Sequence, residues 1–245
     1  MSVRDTAGSK HTLGTVVVTG GASGLGAAIA DAVARHGGTP VTFDLARPRA
    51  TRDYEHRIVD VGDRQAVERA VREIAEGNGG ILDAVVANAG MDACGDFDQV
   101  DPDAWERVIR VNLIGTASLV RAALPYLERA ANPRIVNVAS TLGLRALGAA
   151  TAYCASKFGV VGLTRGLALD LAGRVGVTLL IPGGMNTHFF DGRDEQFKPA
   201  ADAFEKNQLN DPSNVAEAVV FALSQPKGCE VRELIVTPSH ETSWP

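Results

Sequence analysis

The hydrophobic positions of this chain follow two alternating patterns. Short continuous apolar runs rich in β-branched residues are followed by longer segments in which apolar residues recur every three or four positions. The runs predict buried strands, and the longer segments predict amphipathic helices. We place strands at 15–18, 40–44, 56–60, 81–87, 134–140, 175–181 and 232–237, and helices at 27–34, 64–76, 102–130, 151–172 and from 212 onward.

Strands that alternate with helices predict a parallel sheet, because parallel strands need crossover connections. The strands lack polar alternation, which indicates burial by helices on both faces. We therefore expect an α/β fold, a doubly wound Rossmann-type domain with a seven-stranded parallel sheet and helices on both faces. No linker or composition shift divides the chain. We expect a flexible N-terminal arm at 1–13 and a single domain at 14–245.

The connection after the first strand carries a ligand signal. Gly20, Gly24 and Gly26 follow a G-x-x-x-G-x-G spacing, with Ser23 directly before Gly24 and Leu25 between Gly24 and Gly26. A strand that enters a helix through glycines directs backbone N–H groups and the positive end of the helix dipole at one point. Such a point suits a phosphate, so the segment predicts a dinucleotide site rather than a turn without a ligand.

Asp44 ends the second predicted strand, and ligands of a doubly wound sheet bind beyond the carboxyl ends of its strands. A carboxylate there accepts hydrogen bonds from the adenosine ribose hydroxyls and repels a 2′-phosphate. Positions 21–23 carry no basic residue that could hold such a phosphate. We predict NAD as the preferred cofactor, while Arg47 and Arg49 nearby keep NADP possible.

Ser140 ends the fifth predicted strand, and the next helix carries Tyr153 and Lys157 at a spacing of four, which places both on one face. A free tyrosine has a pKa of about 10, too high for proton exchange near neutrality. A lysine ~4 Å away at an effective dielectric of ~20 supplies ~4 kcal/mol, enough to lower that pKa by ~3 units. An oxidised nicotinamide nearby would help the lysine to lower the tyrosine pKa. The pattern therefore predicts an acid–base pair rather than a pair of residues on the helix surface.

The chain resembles the short-chain dehydrogenase/reductase family from the first strand to the seventh. The resemblance rests on motifs in a fixed order along the predicted elements, namely Thr19–Gly26, Asp60-Val61, Asn88-Ala89-Gly90, Asn112, Ser140, Tyr153-x-x-x-Lys157 and Pro182-Gly183-x-x-x-Thr187. Two places depart from the family pattern. Ala87 stands where many members have an asparagine, and the segment ending at Pro238 replaces an aspartate and two glycines.

The resemblance implies a role for each matching residue. Tyr153 would be the general acid in ketone reduction and the base in alcohol oxidation, Ser140 would bind the reacting oxygen, and Lys157 would hold the nicotinamide ribose. Asn112 would kink its helix and bind a water in a proton relay. The implied cofactor-binding set is Gly20, Ser23, Gly24, Leu25, Gly26, Asp44, Asp60, Val61, Asn88, Ala89, Gly90, Tyr153, Lys157, Pro182, Gly183 and Thr187.

We expect an oxidoreductase that transfers a hydride between NAD and a secondary alcohol or ketone. An NADP-linked 3-oxoacyl-thioester reductase is the alternative within enzymes. A nucleotide-sensing protein without catalysis is a further alternative, which the complete Ser-Tyr-Lys set disfavours. For the substrate, the loop at about 188–210 contains several phenylalanines, and Arg145 and Arg193 offer partners for an anionic group.

Composition narrows the remaining classes. A net charge of −5 predicts no nucleic-acid partner, and three widely spaced cysteines, Cys94, Cys154 and Cys229, predict neither a metal site nor a disulfide framework. No apolar run approaches the ~20 residues that cross a bilayer, so we expect a cytoplasmic protein without a membrane partner. Helices 102–130 and 151–172 are apolar on more than one face, which predicts a homodimer or homotetramer.

Overall fold

The computed structural model describes residues 13–191 and 193–241. The strands are β1 Thr15–Thr19, β2 Thr39–Asp44, β3 Glu55–Ile58, β4 Ala84–Ala87, β5 Arg134–Val138, β6 Gly176–Pro182 and β7 Glu233–Val236. The helices are α1 Gly24–Arg35, α2 Arg64–Gly77, α3 Pro102–Ile109, α4 Gly115–Leu127, α5 Thr151–Asp170 and α6 Pro212–Leu223. Residues 1–12 of the expected N-terminal arm lie outside the described residues.

The seven strands form one sheet in the order β3-β2-β1-β4-β5-β6-β7. Every neighbouring pair is parallel. The predicted fold class is confirmed. The chain moves outward from β1 to β3 and then returns to place β4 on the other side of β1. A crevice therefore opens beyond the carboxyl ends of β1 and β4, which is where such sheets bind ligands.

Helices cover both faces of the sheet. Val16 and Val18 of β1 pack with apolar residues of α1 and α6, whereas Val17 packs on the opposite face with residues of α2 and α4. Side chains alternate between faces along a strand, so one β-branched run supplies both cores. Val160 and Val161 of α5 pack against β6 in a third cluster. This packing holds the carboxyl edge of the sheet rigid around the crevice.

The predicted helix 102–130 is wrong in detail. It contains a π-helical turn, Arg110–Ile114, between α3 and α4, and it ends at Leu127. Asn112, inside that turn, accepts a hydrogen bond from Met91 N–H and donates one to the Met91 carbonyl, both 2.9 Å long. A π turn commonly marks a functional site, and here a side chain from the turn is tied to the loop after β4.

Among the described residues, the helical segment 102–127 is long and apolar enough to cross a membrane by composition alone. Half of its most apolar window is buried inside the protein. Val108, Leu119, Val120, Ala123 and Leu127 are fully or almost fully buried. Packing within the fold accounts for the buried half of this apolar segment.

Candidate active site

The glycine loop between β1 and α1 packs closely against the end of β4. A side chain at Gly20, whose φ is +71°, would place its Cβ 2.9 Å from the Ala89 Cα. A Cβ at Gly26 would lie 2.1 Å from the Gly20 carbonyl oxygen. The Asn88 amide donates a 2.9 Å hydrogen bond to the Thr19 carbonyl, so it supports the loop from behind. Glycine is thus required by contact as well as by backbone conformation.

Asp44 lies at the rim of the same loop. Its Oδ2 accepts a 2.9 Å hydrogen bond from Ala22 N–H, and its Oδ1 accepts one of 3.1 Å from Ala46 N–H. Asp60, farther along the edge, accepts a 2.8 Å hydrogen bond from Gly62 N–H and pairs with Arg107 at 3.2 Å. Both carboxylates are held at the side of the crevice where the sequence places the adenosine end of a dinucleotide.

Other predicted cofactor residues surround the crevice. Ser23 is the exposed N-cap of α1, and its side chain makes no capping hydrogen bond, while Leu25 and Val61 are buried beneath it. On the opposite side, Thr187 lies 3.4 Å from the position that a Cβ on Gly24 would occupy. An uncapped helix N-terminus above a tight glycine loop fits a bound pyrophosphate.

Ser140, Tyr153 and Lys157 come together at the end of β5. Lys157 is buried, and its Nζ donates a 2.8 Å hydrogen bond to the Val138 carbonyl and lies 5.5 Å from the centre of the Tyr153 ring. The Ser140 side chain lies close enough to Tyr153 to act on the pKa of its phenol. The i, i+4 spacing therefore does place the phenol and the ammonium on one face of α5.

Burial sets the proton affinities in this cluster. It raises the pKa of Tyr153 to about 12, although the Ser140 hydrogen bond acts in the opposite direction. Burial also lowers the pKa of Lys157 to about 8. Desolvation penalises the charged form of each group. That Lys157, helped by an oxidised nicotinamide, lowers the Tyr153 pKa stays a prediction.

Asn112 connects this cluster to the loop after β4. Its Nδ2 donates a 3.0 Å hydrogen bond to Ser156 Oγ, and that hydroxyl donates one of 2.7 Å to the Tyr153 carbonyl. A Cβ on Gly90 would lie 3.6 Å from both Asn112 Oδ1 and Lys157 Nζ. Ser156 was missed in the sequence analysis. Its signal was a small polar residue between the tyrosine and the lysine of an apolar helix.

The predicted substrate loop begins and ends at one point. Met185 and Asn210 form an isolated parallel bridge, and Asn210 N–H donates a 2.8 Å hydrogen bond to the Gly184 carbonyl. The segment after β7 packs on this junction. Glu241 accepts a 2.9 Å hydrogen bond from Gly184 N–H, and the His240 N–H donates one of 3.1 Å to the Asn207 carbonyl. The loop is thus anchored beside Pro182 and Gly183.

One wall of the site consists of Phe189, Phe190 and Arg193. The Phe189 ring centre lies 5.5 Å from that of Tyr153, and the Arg193 guanidinium lies over both phenylalanine rings. Arg193 pairs at 2.8 Å with Asp92, which follows β4. Asp92 was missed in the sequence analysis, although an acid just beyond the carboxyl end of a central strand was the available signal. Arg145 is exposed.

A family model described as short chain dehydrogenase matches residues 14–197. That range contains the glycine loop, Asp44, Asn112, Ser140, Tyr153 and Lys157. The chain belongs to the short-chain dehydrogenase/reductase family. It is an NAD(P)-dependent oxidoreductase that acts on CH–OH or C=O groups, which confirms the predicted enzyme class.

Relatives and solved structures agree with this assignment. A cis-4-hydroxycyclohexanecarboxylate dehydrogenase of Sinomonas cyclohexanicum is 36% identical over 220 residues, which cover 85% of this chain and 88% of the relative. The aldohexose dehydrogenase of Thermoplasma acidophilum superposes with a TM-score of 0.82 at 27% identity and covers 91% of this chain and 92% of its own. A Burkholderia cenocepacia short-chain dehydrogenase in complex with NADP superposes with a TM-score of 0.80 at 29% identity. The match covers 94% of this chain and 98% of the Burkholderia protein.

Proposed function

We propose that this enzyme transfers a hydride between NAD and a secondary alcohol or ketone, with Tyr153 as the general acid and base. The observation that carries the proposal is the meeting of Ser140, Tyr153 and Lys157 beside the glycine loop. A bound nicotinamide supplies the hydride acceptor in oxidation and the donor in reduction. The predicted residues around Gly20–Gly26, Asp44 and Thr187 would hold it.

In alcohol oxidation, Tyr153 in its phenolate form removes the hydroxyl proton of the substrate. Ser140 donates a hydrogen bond where negative charge develops on the reacting oxygen. Lys157, oriented by the Val138 carbonyl, stabilises the phenolate and binds the ribose. Asn112 belongs to the relay that moves the proton away, a role consistent with its hydrogen bonds to Met91 and Ser156. Ketone reduction uses the same groups in reverse.

The preference for NAD rests on Asp44. Its carboxylate is oriented by Ala22 N–H and Ala46 N–H at the edge of the glycine loop. A 2′-phosphate placed beside this carboxylate would meet a like charge. The hydroxyls of an unphosphorylated ribose would instead find two acceptor oxygens.

We also propose the wider organisation of the protein. Residues 14–245 act as one catalytic domain with the substrate loop at about 188–210, in the cytoplasm, without nucleic-acid or membrane partners. The assembly is a homodimer or homotetramer built on the helices 102–127 and α5. In the chain alone, Ile114 is 50% and Leu169 80% exposed, and large apolar side chains at such positions favour burial by a partner. Light scattering at micromolar concentration should therefore show no monomer.

The direct test is a screen of secondary alcohols with NAD and of ketones with NADH, monitored through NADH absorbance. The panel includes cis-4-hydroxycyclohexanecarboxylate, because the Sinomonas relative carries that name, and a 3-oxoacyl thioester with NADPH. We expect turnover of at least one secondary alcohol that requires Tyr153. Turnover confined to the thioester with NADPH would replace the proposal with its alternative.

A further inference from the structure

A fixed positive charge lies one aromatic ring away from the proposed acid–base residue. The Arg193 Cζ is 5.0 Å from the centre of the Phe189 ring and 4.7 Å from that of Phe190. Phe189 in turn contacts Tyr153. The Arg193 side chain is only 17% exposed. The guanidinium therefore places a positive charge close to the reacting end of the site.

Asp92 binds the guanidinium of Arg193 through one nitrogen only. The contact is a 2.8 Å hydrogen bond from Arg193 Nη2 to Asp92 Oδ2. Asp92 is itself fixed, because its Oδ1 accepts a 2.7 Å bond from Ala93 N–H and its Oδ2 accepts one of 3.1 Å from the Cys94 thiol. Burial and Asp92 raise the pKa of Cys94 to about 12, so that thiol keeps its proton and remains a donor.

The guanidinium has donor capacity left. Its Nε is buried, and no acceptor within residues 13–191 and 193–241 lies within hydrogen-bond distance of it. A buried donor without a partner is unfavourable, and the flat Arg193 fork is pre-organised by the two rings beneath it. An unpartnered donor of this kind favours an acceptor that enters from outside and draws the guanidinium toward it.

We infer that Arg193 is a specificity-determining residue that binds the carboxylate of a hydroxy acid or oxo acid substrate. The apolar body of the substrate covers the Phe189 ring, and its carbinol or carbonyl carbon lies at Tyr153. The inference rests on the proposed function, because Tyr153 marks the reacting end. Asp92 neutralises and orients the guanidinium while the site contains no substrate.

A carboxylate suits this position better than a neutral acceptor. Its two oxygens match the guanidinium fork, and charge-assisted hydrogen bonds are stronger than neutral ones. The aromatic surroundings keep water away and lower the local dielectric, which enlarges the difference between an anion and a neutral amide. Arg145 is exposed, so solvent screens its charge and it discriminates less.

The experiment compares kcat/KM for cis-4-hydroxycyclohexanecarboxylate and its primary amide, a pair matched in shape, with saturating NAD. The wild type should favour the acid by roughly ten- to a hundredfold, the range of one charge-assisted hydrogen bond. Arg193→Gln should abolish that preference through a higher KM for the acid, with the amide little changed. Arg193→Lys keeps the charge without the fork and should give an intermediate ratio.

Asp92→Asn should change the acid-to-amide ratio of kcat/KM in the direction opposite to that of Arg193→Gln. It removes the carboxylate that competes for Arg193 while it preserves shape, so the acid-to-amide ratio should rise above that of the wild type. Thermal melts confirm that each variant is folded. If Arg193→Gln does not fold, the wild-type ratio and the change caused by Asp92→Asn decide the matter.

Three results would overturn the inference. One is equal use of acid and amide, or turnover of neutral alcohols only, by the wild type. Another is an equal loss of kcat/KM for the acid and the amide in Arg193→Gln, which would indicate a structural role of Arg193. The third is a loss of kcat/KM that is specific for the acid in Arg145→Gln and absent in Arg193→Gln. Failure of the proposed function differs from all three, since the wild type would then oxidise no alcohol of the panel with either cofactor.

Discussion

The two halves of the active site are built in different ways. On the cofactor side, Gly20 N–H donates to the Phe43 carbonyl, and the Asp44 and Asn88 side chains form hydrogen bonds with backbone groups of the glycine loop and of β1. On the substrate side, Arg193 depends on stacking with two phenylalanine rings and on one ion pair with Asp92. The first half is an extension of the sheet, whereas the second is an assembly of side chains on loops.

This difference separates what the two halves control. These contacts tie the cofactor half to the backbone of the sheet, so this half suits a chemistry that is the same for every substrate. The substrate half can change partners by altering one side chain without disturbing the sheet, as is general for loops carried on a rigid scaffold. Mutations in the two halves should therefore give different kinetic patterns.

The largest expected effect lies in the chemistry shared by all substrates. Tyr153→Phe removes one oxygen and leaves the ring contact with Phe189, so kcat should fall by about 10²–10⁴, the range for losing a general acid or base. The loss should be the same for acids, amides and neutral alcohols, unlike that of Arg193→Gln. Steady-state kinetics and NADH fluorescence titration provide the measurement. Near-wild-type turnover would show that another group moves the proton.

The next effect concerns the buried ammonium. Burial lowers the Lys157 pKa to about 8 from the ordinary 10.5, so between these pH values the unfolded chain binds more protons and the folded protein gains stability as pH rises. Relative to Lys157→Met, the wild-type unfolding free energy should increase by up to about 3 kcal/mol between pH 8 and 10.5. Urea denaturation across that range measures it. A pH-independent difference between the two proteins would contradict the burial effect.

Gly26 at the end of the glycine loop should tolerate no side chain. A Cβ at Gly26 would lie 2.1 Å from the Gly20 carbonyl oxygen, so Gly26→Ala should destabilise the protein by about 1–3 kcal/mol through overpacking and weaken NADH binding. Gly77→Ala is the matched control, because Gly77 lies in α2 with nothing within 4 Å of the added Cβ. It should stabilise by about 0.5–1 kcal/mol. Similar urea midpoints for both variants would show that the loop accommodates a Cβ at position 26 with little loss of stability.

The smallest effect belongs to cofactor choice. We expect kcat/KM to favour NADH over NADPH by at least about tenfold, or ~1.4 kcal/mol, and Asp44→Ala to narrow that ratio chiefly through KM. The acid-to-amide ratio should not change in this variant, because Asp44 lies on the cofactor side. Kinetics with both cofactors measure the two ratios together. Equal use of NADH and NADPH by the wild type would remove the assigned role of Asp44.

Local patterns were sufficient for much of this protein. Continuous β-branched runs predicted the parallel sheet, since such runs are stable only between two helical layers. The glycine spacing and the four-residue interval from Tyr153 to Lys157 marked the cofactor loop and the acid–base pair, because a strand end and a helix turn have fixed geometries. The helix starts predicted at 102 and 212 agree with the structure, where Asp101 and Asp211 cap these helices by accepting backbone hydrogen bonds from the first turn.

Other features depended on residues that the fold brings together from far apart. Asp92 and Arg193 are separated by 101 positions, and no periodicity relates them. Glu241 meets Gly184 only because β6 and β7 are neighbours in the sheet. The direction of the Tyr153 pKa shift was also beyond the sequence. The charge of Lys157 could be read from the chain, but the desolvation that outweighs it is set by everything packed around the phenol.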